Sequence, residues 1–377
     1  MYQKTSYTAI GLMSGSSLDG LDICAVTFTI DSNAENSTRQ TDNYKQPTIL
    51  PSNIAYSIIA AKCIAFNDAF KDRIRLATQN NAFDFAQLHT EIGKYFGQLT
   101  ADFIQEYKLN KIDFIASHGQ TIFHQPLLGF TTQLGCGAQI AAQTGCKVIC
   151  DFRTSDIAYG GQGAPLVPIV EKYLFPQYKA FLNIGGICNI SLHSKDDRIY
   201  GYDICAGNTL LNHFAKKKGM QYDENGVLAR SGKILPDLVD ELNQIPFCLQ
   251  DAPKSLGSEH VYAEWIARCE RYNAGIEDIL ASCTEHIAMQ TGKALQHFNN
   301  GNAVLITGGG ALHTYLTERI QAHTALQAVV PGMQTLQYKE ALLMAFCGLL
   351  RFIEIPNSLA SVTGAKKNVT GGAIYLP

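Results

Sequence analysis

The sequence predicts an α/β protein of two domains with a cleft between them, and three observations carry that prediction. Its 377 residues exceed what one compact core usually holds. Short apolar runs end in glycine in both halves, as strands do where they hand over to loops. Between those runs lie stretches with apolar residues at helical spacing.

The elements follow in chain order. Ala9 to Met13 reads as a strand, Ser14 to Gly20 as a Ser/Gly turn and Ile23 to Ile30 as a second strand, together a β-hairpin. The polar stretch Asp31 to Gln46 reads as an exposed loop, and Ile54 to Gln79 and Phe83 to Tyr107 both carry helical spacing. Ile112 to Ser117 is a short buried strand. Past Val148 the chain turns to glycine punctuation, at Gly160-Gly161-Gln162-Gly163-Ala164-Pro165, at Phe181-Leu182-Asn183-Ile184-Gly185-Gly186 and at Val304-Leu305-Ile306-Thr307-Gly308-Gly309-Gly310. A helix through Leu316 and Ile320 follows the last of these, and Glu340 opens an apolar helix, Ala341 to Phe352. A boundary near residue 175 and a return after about residue 356 give an N-terminal domain of 1–175 plus 356–377 and a C-terminal domain of 176–355. Strand-turn-glycine elements in both halves point to a structural duplication without a sequence repeat.

Composition narrows the function. Thirty Lys+Arg against 33 Asp+Glu give a net charge of -3 with no basic block, so nucleic acid is not an expected partner. Eleven cysteines, scattered singly from Cys24 to Cys347, read as free buried thiols. Cys146 and Cys150 lack zinc-knuckle spacing, and His118 and His124, six apart, lack the i, i+4 spacing of a helical metal pair. The N-terminus shows no signal-peptide pattern and no run of 18 apolar residues occurs, so a cytoplasmic protein without a membrane segment is expected.

Neither a Gly-x4-Gly-Lys-Ser/Thr loop nor a strand followed by Gly-x-Gly-x-x-Gly is present, so phosphates would be held by other means. Glycines let successive backbone N–H groups form an anion-binding nest, and a hairpin tip can supply one. Three segments qualify, namely Gly15-Ser16-Ser17-Leu18-Asp19-Gly20, Asn183-Ile184-Gly185-Gly186 and Thr307-Gly308-Gly309-Gly310. Any one alone is more often a tight turn. Their order resembles the two phosphate segments and the adenosine segment of the actin-like ATPase superfold, in which ATP lies between two α/β domains.

Within that superfold the chain resembles the anhydro-N-acetylmuramic acid kinases from Ile10 to Pro377. The resemblance rests on Gly11-Leu12-Met13-Ser14-Gly15-Ser16-Ser17-Leu18-Asp19-Gly20-Leu21-Asp22, Ser117-His118-Gly119-Gln120-Thr121, Asp151-Phe152-Arg153, Gly160 to Pro168, Leu182 to Gly186, Pro253-Lys254-Ser255, Gly308-Gly309-Gly310-Ala311, Lys339-Glu340-Ala341 and Val362-Thr363-Gly364-Ala365. It implies that water opens the 1,6-anhydro bridge of the sugar while ATP phosphorylates the freed 6-oxygen. It also implies Mg²⁺, a homodimer, and a catalytic base at Asp203. By the same resemblance, the segment from Gly15 through Leu21 to Asp22, with Gly185, Gly186, Gly308, Gly309 and Gly310, would bind ATP.

Individual residues carry a plainer reading beside the functional one. Asp19 and Asp22 are either turn formers or ligands; Asp22 could hold a Mg²⁺-bound water and Asp19 could meet sugar or phosphate. His118, Gln120 and Thr121 at a strand end offer polar groups to sugar hydroxyls. Arg153 has the bidentate fork that suits a lactyl carboxylate or an internal Asp. Glu340 is either a first-turn residue complementing the helix dipole or a substrate contact. Asp203 could instead cap a helix from Asn208 to Phe214. Departures from the family pattern are Ser16 for Thr, Cys136-Gly137 for Asn-Pro, Cys205-Ala206 for Gly-Pro, Leu256 for Thr and His313 for Asn. They leave two alternatives open: a kinase of another 1,6-anhydro sugar, and a non-catalytic nucleotide-binding protein.

Overall fold

A computed structural model describes residues 5–15, 18–30, 54–196, 198–296 and 298–377. Ser16, Ser17 and the loop expected over 31–46 lie outside the described residues. The chain divides into two compact units, Met1–Phe175 with Tyr338–Pro377, and Pro176–Gln337.

In the first unit β1 (Thr5–Met13) pairs antiparallel with β2 (Gly20–Ile30), and β2 with β3 (Ile54–Ala65). On the other side of β1 lie β4 (Phe114–Ser117) and β7 (Val148–Cys150), both parallel, and then β13 (Ala373–Tyr375), antiparallel to β7. Strands β5 (Gln120–Gln125) and β6 (Phe130–Leu134) form a separate hairpin. Ile10, Leu12, Leu21 and Ile23 meet Leu88, Ile92, Phe96 and Phe103 of the helix Ala82–Glu106 in one core. That helix starts where Asn81 Oδ1 accepts from Asp84 N at 2.9 Å, the expected use of Asn at an N-cap.

The segment Ile54 to Gln79 is not one helix. Its first part is β3, followed by the helix Asp68–Arg75 and a 3-10 turn Ala77–Gln79. Strand β2 is 11 residues long and pairs with β3 along its whole length, so its ladder bonds override the Ala-rich, helix-permissive composition of 54–65.

The second unit repeats the sheet plan. Strands β8 (Ala180–Ile184), β9 (Ile187–His193) and β10 (Ile199–Ala206) form an antiparallel meander, and β11 (Ala303–Thr307) and β12 (Gln327–Val329) add in parallel beside β8. The helix Ile276–Leu295 is buried on nearly every face, with Leu280, Cys283, Ile287 and Leu295 in the core beside Trp265 and Phe214. The α/β class is therefore observed, with three antiparallel strands and two parallel ones recurring in each unit, the order expected if the halves are duplicated.

The return to the first unit comes at Tyr338, not near 356. The helix Met333–Phe352 leaves helical geometry at Tyr338 (φ −111°, ψ 20°). Beyond it, Ala341 O passes so close to β1 that a Cβ on Gly11 would stand 1.8 Å away, and Phe346 packs on Phe28 of β2 with ring centroids 5.8 Å apart. The apolar side chains of this helix beyond Tyr338 pack on the first unit's own strands, Phe352 also stacking on Phe114 of β4.

Candidate active site

In the first unit the predicted residues gather at the ends of β1, β4 and β7. His118 N donates to Leu12 O at 3.0 Å, and Ser14 Oγ donates to the buried Gln120 Oε1 at 2.5 Å, which ties the β1–β2 turn to β5. Leu18 and Leu21 put their side chains into the core, so any contact they make with a ligand is through the backbone. Leu18 has φ 59°, and Asp19 is exposed while its carbonyl accepts from Phe66 N at 3.2 Å. Asp22 lies on β2 opposite Met13 and Cys63. Burial raises its pKa, the hydrogen-bonded Cys63 thiol opposes that rise, and Asp19 adds to it.

Glu340 keeps part of its surface in solvent, yet the surrounding protein and then Asp22 raise its pKa, against the pull of Lys339 and Arg153. Asp22 and Arg153 are thus both within electrostatic reach of Glu340. Arg153 donates from Nε and Nη2 to His118 Nε2, at 3.0 and 2.9 Å, and from Nη1 to Gly163 O at 2.7 Å. His118 Nδ1 lies 2.9 Å from Gly119 O, so the ring donates there and accepts from Arg153. Burial first, and Arg153 second, hold the His118 pKa down to about 4. Both ring nitrogens are therefore engaged by protein, unlike those of a free sugar-binding histidine. Thr121 Oγ1 accepts from Gln133 Nε2 at 3.3 Å.

In the second unit Gly185 and Gly186 form the two-residue tip of the β8–β9 hairpin. Their carbonyls accept from Asn208 N at 2.8 Å and Gly207 N at 2.9 Å, docking the tip on the start of the helix Asn208–Lys217. Gly308 ends β11 at φ 83°, where a Cβ would stand 2.5 Å from Ile184 O. A Cβ on Gly310 would meet Ile184 and Asn208, whereas Gly309 is exposed and has no neighbour nearer than Asn208 Nδ2 at 3.4 Å. The two glycine segments therefore converge on Ile184 and Asn208.

Asp203 sits on β10 at a register shift that leaves Ile204 unpaired, the kind of bulge that re-aims a side chain. Its Oδ2 accepts from Leu256 N at 2.8 Å and Ser255 Oγ at 3.3 Å, and its own N donates to Lys254 O at 3.0 Å. Among the described residues no bond to its Oδ1 is seen. Asp203 does not cap the helix that follows, since the cap position is Gly207 and has no side-chain bond. The Pro253-Lys254-Ser255 segment thus finds its place as the cradle of Asp203.

The departures also find physical places. Cys205 and Ala206 are fully buried in the core, where Cys205 pairs across the strands with Cys188. Leu256 serves Asp203 through its backbone. His313 Nδ1 accepts from Leu316 N at 3.0 Å, capping the helix Thr314–His323 as an Asn would. One important residue escaped the sequence reading. Asp156, fully buried, accepts from Gly163 N, Ser358 Oγ and Thr363 Oγ1 at 2.7 to 2.8 Å. A Thr-Gly pair at the chain's end and a glycine run near 163 were visible signals, but nothing in one sequence joins them.

Glycine turns at strand ends, with a carboxylate held by one oxygen and a braced arginine, suit phosphoryl transfer to a small polar acceptor, and the class is that of a sugar kinase. Residues 7–377 match the model of the anhydro-N-acetylmuramic acid kinase family. An anhydro-N-acetylmuramic acid kinase from Legionella pneumophila (strain Lens) is 32% identical over 97% of this chain and 97% of its own length. One from Pasteurella multocida is 33% identical over 100% of this chain and 98% of its own. The chain belongs to the anhydro-N-acetylmuramic acid kinase family. Among solved structures, an activator of the 2-hydroxyisocaproyl-CoA dehydratase from Clostridium difficile with bound ADPNP covers 92% of this chain and 93% of its own, at 14% identity and a TM-score of 0.40, a likeness too loose to argue from.

Proposed function

We propose that this protein converts 1,6-anhydro-N-acetylmuramic acid, ATP and water into N-acetylmuramic acid 6-phosphate and ADP, a step in peptidoglycan recycling. Water adds to the anomeric carbon, the bond from that carbon to the bridging oxygen breaks, and the freed 6-oxygen takes the γ-phosphoryl group. Asp203 is the base that accepts the water's proton. The observation that carries this reading is its geometry: Leu256 N and Ser255 Oγ hold Oδ2, which fixes the orientation of the carboxylate.

The glycine tips at Gly186, Gly308, Gly309 and Gly310 offer backbone donors to ATP, while Gly185, whose N–H donates to Ile187 O, shapes its tip. Gln120, Thr121, Arg153 and Glu340 contact the sugar. Mg²⁺ suits Asp22, because a cation offsets the burial and the neighbouring Asp19 that raise its pKa, and Mg²⁺ needs only one or two carboxylates beside phosphate and water. When bound, it would neutralise charge on the transferring phosphate. A cytoplasmic homodimer is the form the family resemblance supports. Among the described residues no helix is long and apolar enough to cross a membrane.

Mass spectrometry of the product from anhydro-N-acetylmuramic acid, ATP and Mg²⁺ in ¹⁸O-labelled water tests the reaction. The expected product is a ring-opened sugar phosphate with one ¹⁸O at the anomeric carbon. A phosphorylated sugar that keeps its bridge, or ADP without sugar phosphate, would overturn the reading.

A further inference from the structure

The carboxylate of Asp156 is completely buried, and no step of the reaction proposed above uses it. Asp156 lies in the short helix Thr154–Ala158, whose N-cap is Arg153. These two side chains grip the backbone of one residue from both sides. Arg153 Nη1 donates to Gly163 O at 2.7 Å, and Gly163 N donates to Asp156 Oδ2 at 2.8 Å. Gly163 has φ 67°, a conformation that glycine adopts without penalty. The other oxygen of Asp156 accepts from Ser358 Oγ at 2.7 Å and Thr363 Oγ1 at 2.8 Å, so the C-terminal segment anchors the same centre.

On its far side the guanidinium meets His118, whose Nδ1–H is committed to Gly119 O and whose Nε2 accepts from Nε and Nη2. An arginine has five N–H bonds. Nε, Nη1 and Nη2 each spend one here, and among the described residues one remains on each terminal nitrogen. Two N–H bonds on adjacent terminal nitrogens form the fork that matches a carboxylate.

We infer that Asp156 and His118 are positioning residues, which clamp Arg153 between Gly163 and the imidazole so that its remaining fork binds the carboxylate side arm of the sugar. The carboxylate as ligand rests on the function proposed above, whereas the clamp itself does not. His118 then serves the substrate through Arg153 rather than by touching it. Asp156, with Gly163 and Thr363 from two separate family segments, serves that one guanidinium.

The test is a double-mutant cycle between Asp156→Asn and Arg153→Gln, with anhydro-N-acetylmuramic acid and its carboxylate-free analogue 1,6-anhydro-N-acetylglucosamine as substrates. Asp156→Asn should raise KM for the carboxylate sugar by about tenfold, the loss expected for one loosened charged hydrogen-bond pair. Its kcat, its KM for ATP and its KM for the analogue should stay near wild type. In the Arg153→Gln background it should change nothing further. His118→Gln, which keeps an acceptor, should retain more affinity than His118→Ala. An equal loss on both sugars, or additivity with Arg153→Gln, would overturn the positioning role. Where Asp156→Asn does not fold, Thr363→Val removes one donor from the same carboxylate and runs the same cycle.

Histidine ¹³C NMR reads the clamp without turnover. Loosening Arg153 by Asp156→Asn should move the His118 titration up from about 4, because the neighbouring cation is displaced. An unmoved titration would overturn the clamp. A shift in a protein that turns over neither sugar would keep the clamp and remove the sugar-kinase reaction instead.

Discussion

The two units fold on one plan and equip it differently. In the first, β3-β2-β1-β4-β7 runs as three antiparallel strands followed by two parallel ones; in the second, β10-β9-β8-β11-β12 repeats that order. The first unit's strand ends carry side-chain chemistry, namely Asp22, His118, Gln120 and Arg153. Those of the second carry backbone, in the tips at Gly185–Gly186 and Gly308–Gly310, with Asp203 as the one charged group of the predicted set. The same sheet order thus carries polar side chains at its strand ends in one unit and mostly backbone in the other, and the division lies in the loops, where chemistry can change without disturbing the core.

The comparison breaks most sharply at Asp203. Asp203→Asn should lower turnover roughly 10²- to 10⁴-fold, as expected for loss of a general base. The fold should survive, since an amide oxygen can still accept from Leu256 N. ATP affinity, measured by calorimetry, should hold. Turnover near wild type would hand the base to the first unit, with Glu340 or Asp19 next in line, and the division of labour proposed here would fail.

Adjacent glycines sharpen the comparison within the second unit. Gly309 is exposed with room for a side chain, so Gly309→Asp should leave thermal stability nearly unchanged while a carboxylate repels the nucleotide. A loss of about 10- to 100-fold in ATP affinity corresponds to a like-charge repulsion on the order of 1–3 kcal/mol. Gly308→Ala should do the opposite. With φ at 83° and Ile184 O only 2.5 Å from the new Cβ, it should cost stability on the order of 1–3 kcal/mol before it affects binding. Equal effects at both positions would mean that the loop acts as scaffold alone.

Each unit also buries a neutral histidine, and pH exposes them together. Burial and Arg153 lower the His118 pKa to about 4, and burial lowers that of His286 to about 3. His286 accepts from Trp265 Nε1 at 2.9 Å and has Asn243 Oδ1 2.8 Å from its Nδ1, an arrangement that suits the neutral ring. Below an unfolded pKa near 6.5 the unfolded chain binds protons that the folded chain refuses. Stability is therefore full above about pH 6.5 and falls as pH drops, by about 1.4 kcal/mol per pH unit for each histidine, until the folded values are reached. Thermal unfolding between pH 7 and 5 should show this slope, and His286→Gln should make it shallower. A flat profile would mean that neither ring is held neutral.

What could be read in the sequence was what is local. The glycine segments and the β1–β2 hairpin were legible because a turn and its flanking strands are written in consecutive residues. Strand β3 was not, since its partner β2 lies beyond a long intervening segment and its own composition permits a helix. Asp156 was less legible still: its bonds to Ser358 and Thr363 span 202 and 207 residues. His118 and Arg153 were each recognised as polar groups near a strand end, but their mutual bond, 35 residues apart, changes the role of the histidine. Asp203 was placed by resemblance, and the cradle at 254–256 gives that placement a physical reason.

The smallest expected effect tests whether the second unit's departures from the family pattern retune the sugar. Cys205 is fully buried and pairs across the strands with Cys188, and Ala206 beside it is fully buried too. Burial raises the Cys205 pKa well above that of a free thiol, with Cys188 adding to the rise, so the thiol stays protonated and behaves as a small hydrophobe. A side chain in that place fills volume and cannot read a substrate. Cys205→Ala should therefore cost stability on the order of 1 kcal/mol, the price of a small cavity. Turnover should change by less than about threefold, because the Asp203 cradle is made by the 254–256 segment and not by the thiol. The ratio of kcat/KM between anhydro-N-acetylmuramic acid and levoglucosan should not move. A changed ratio with unchanged stability would put the Cys205 loop in contact with the sugar, and selection between substrates would then belong to both units.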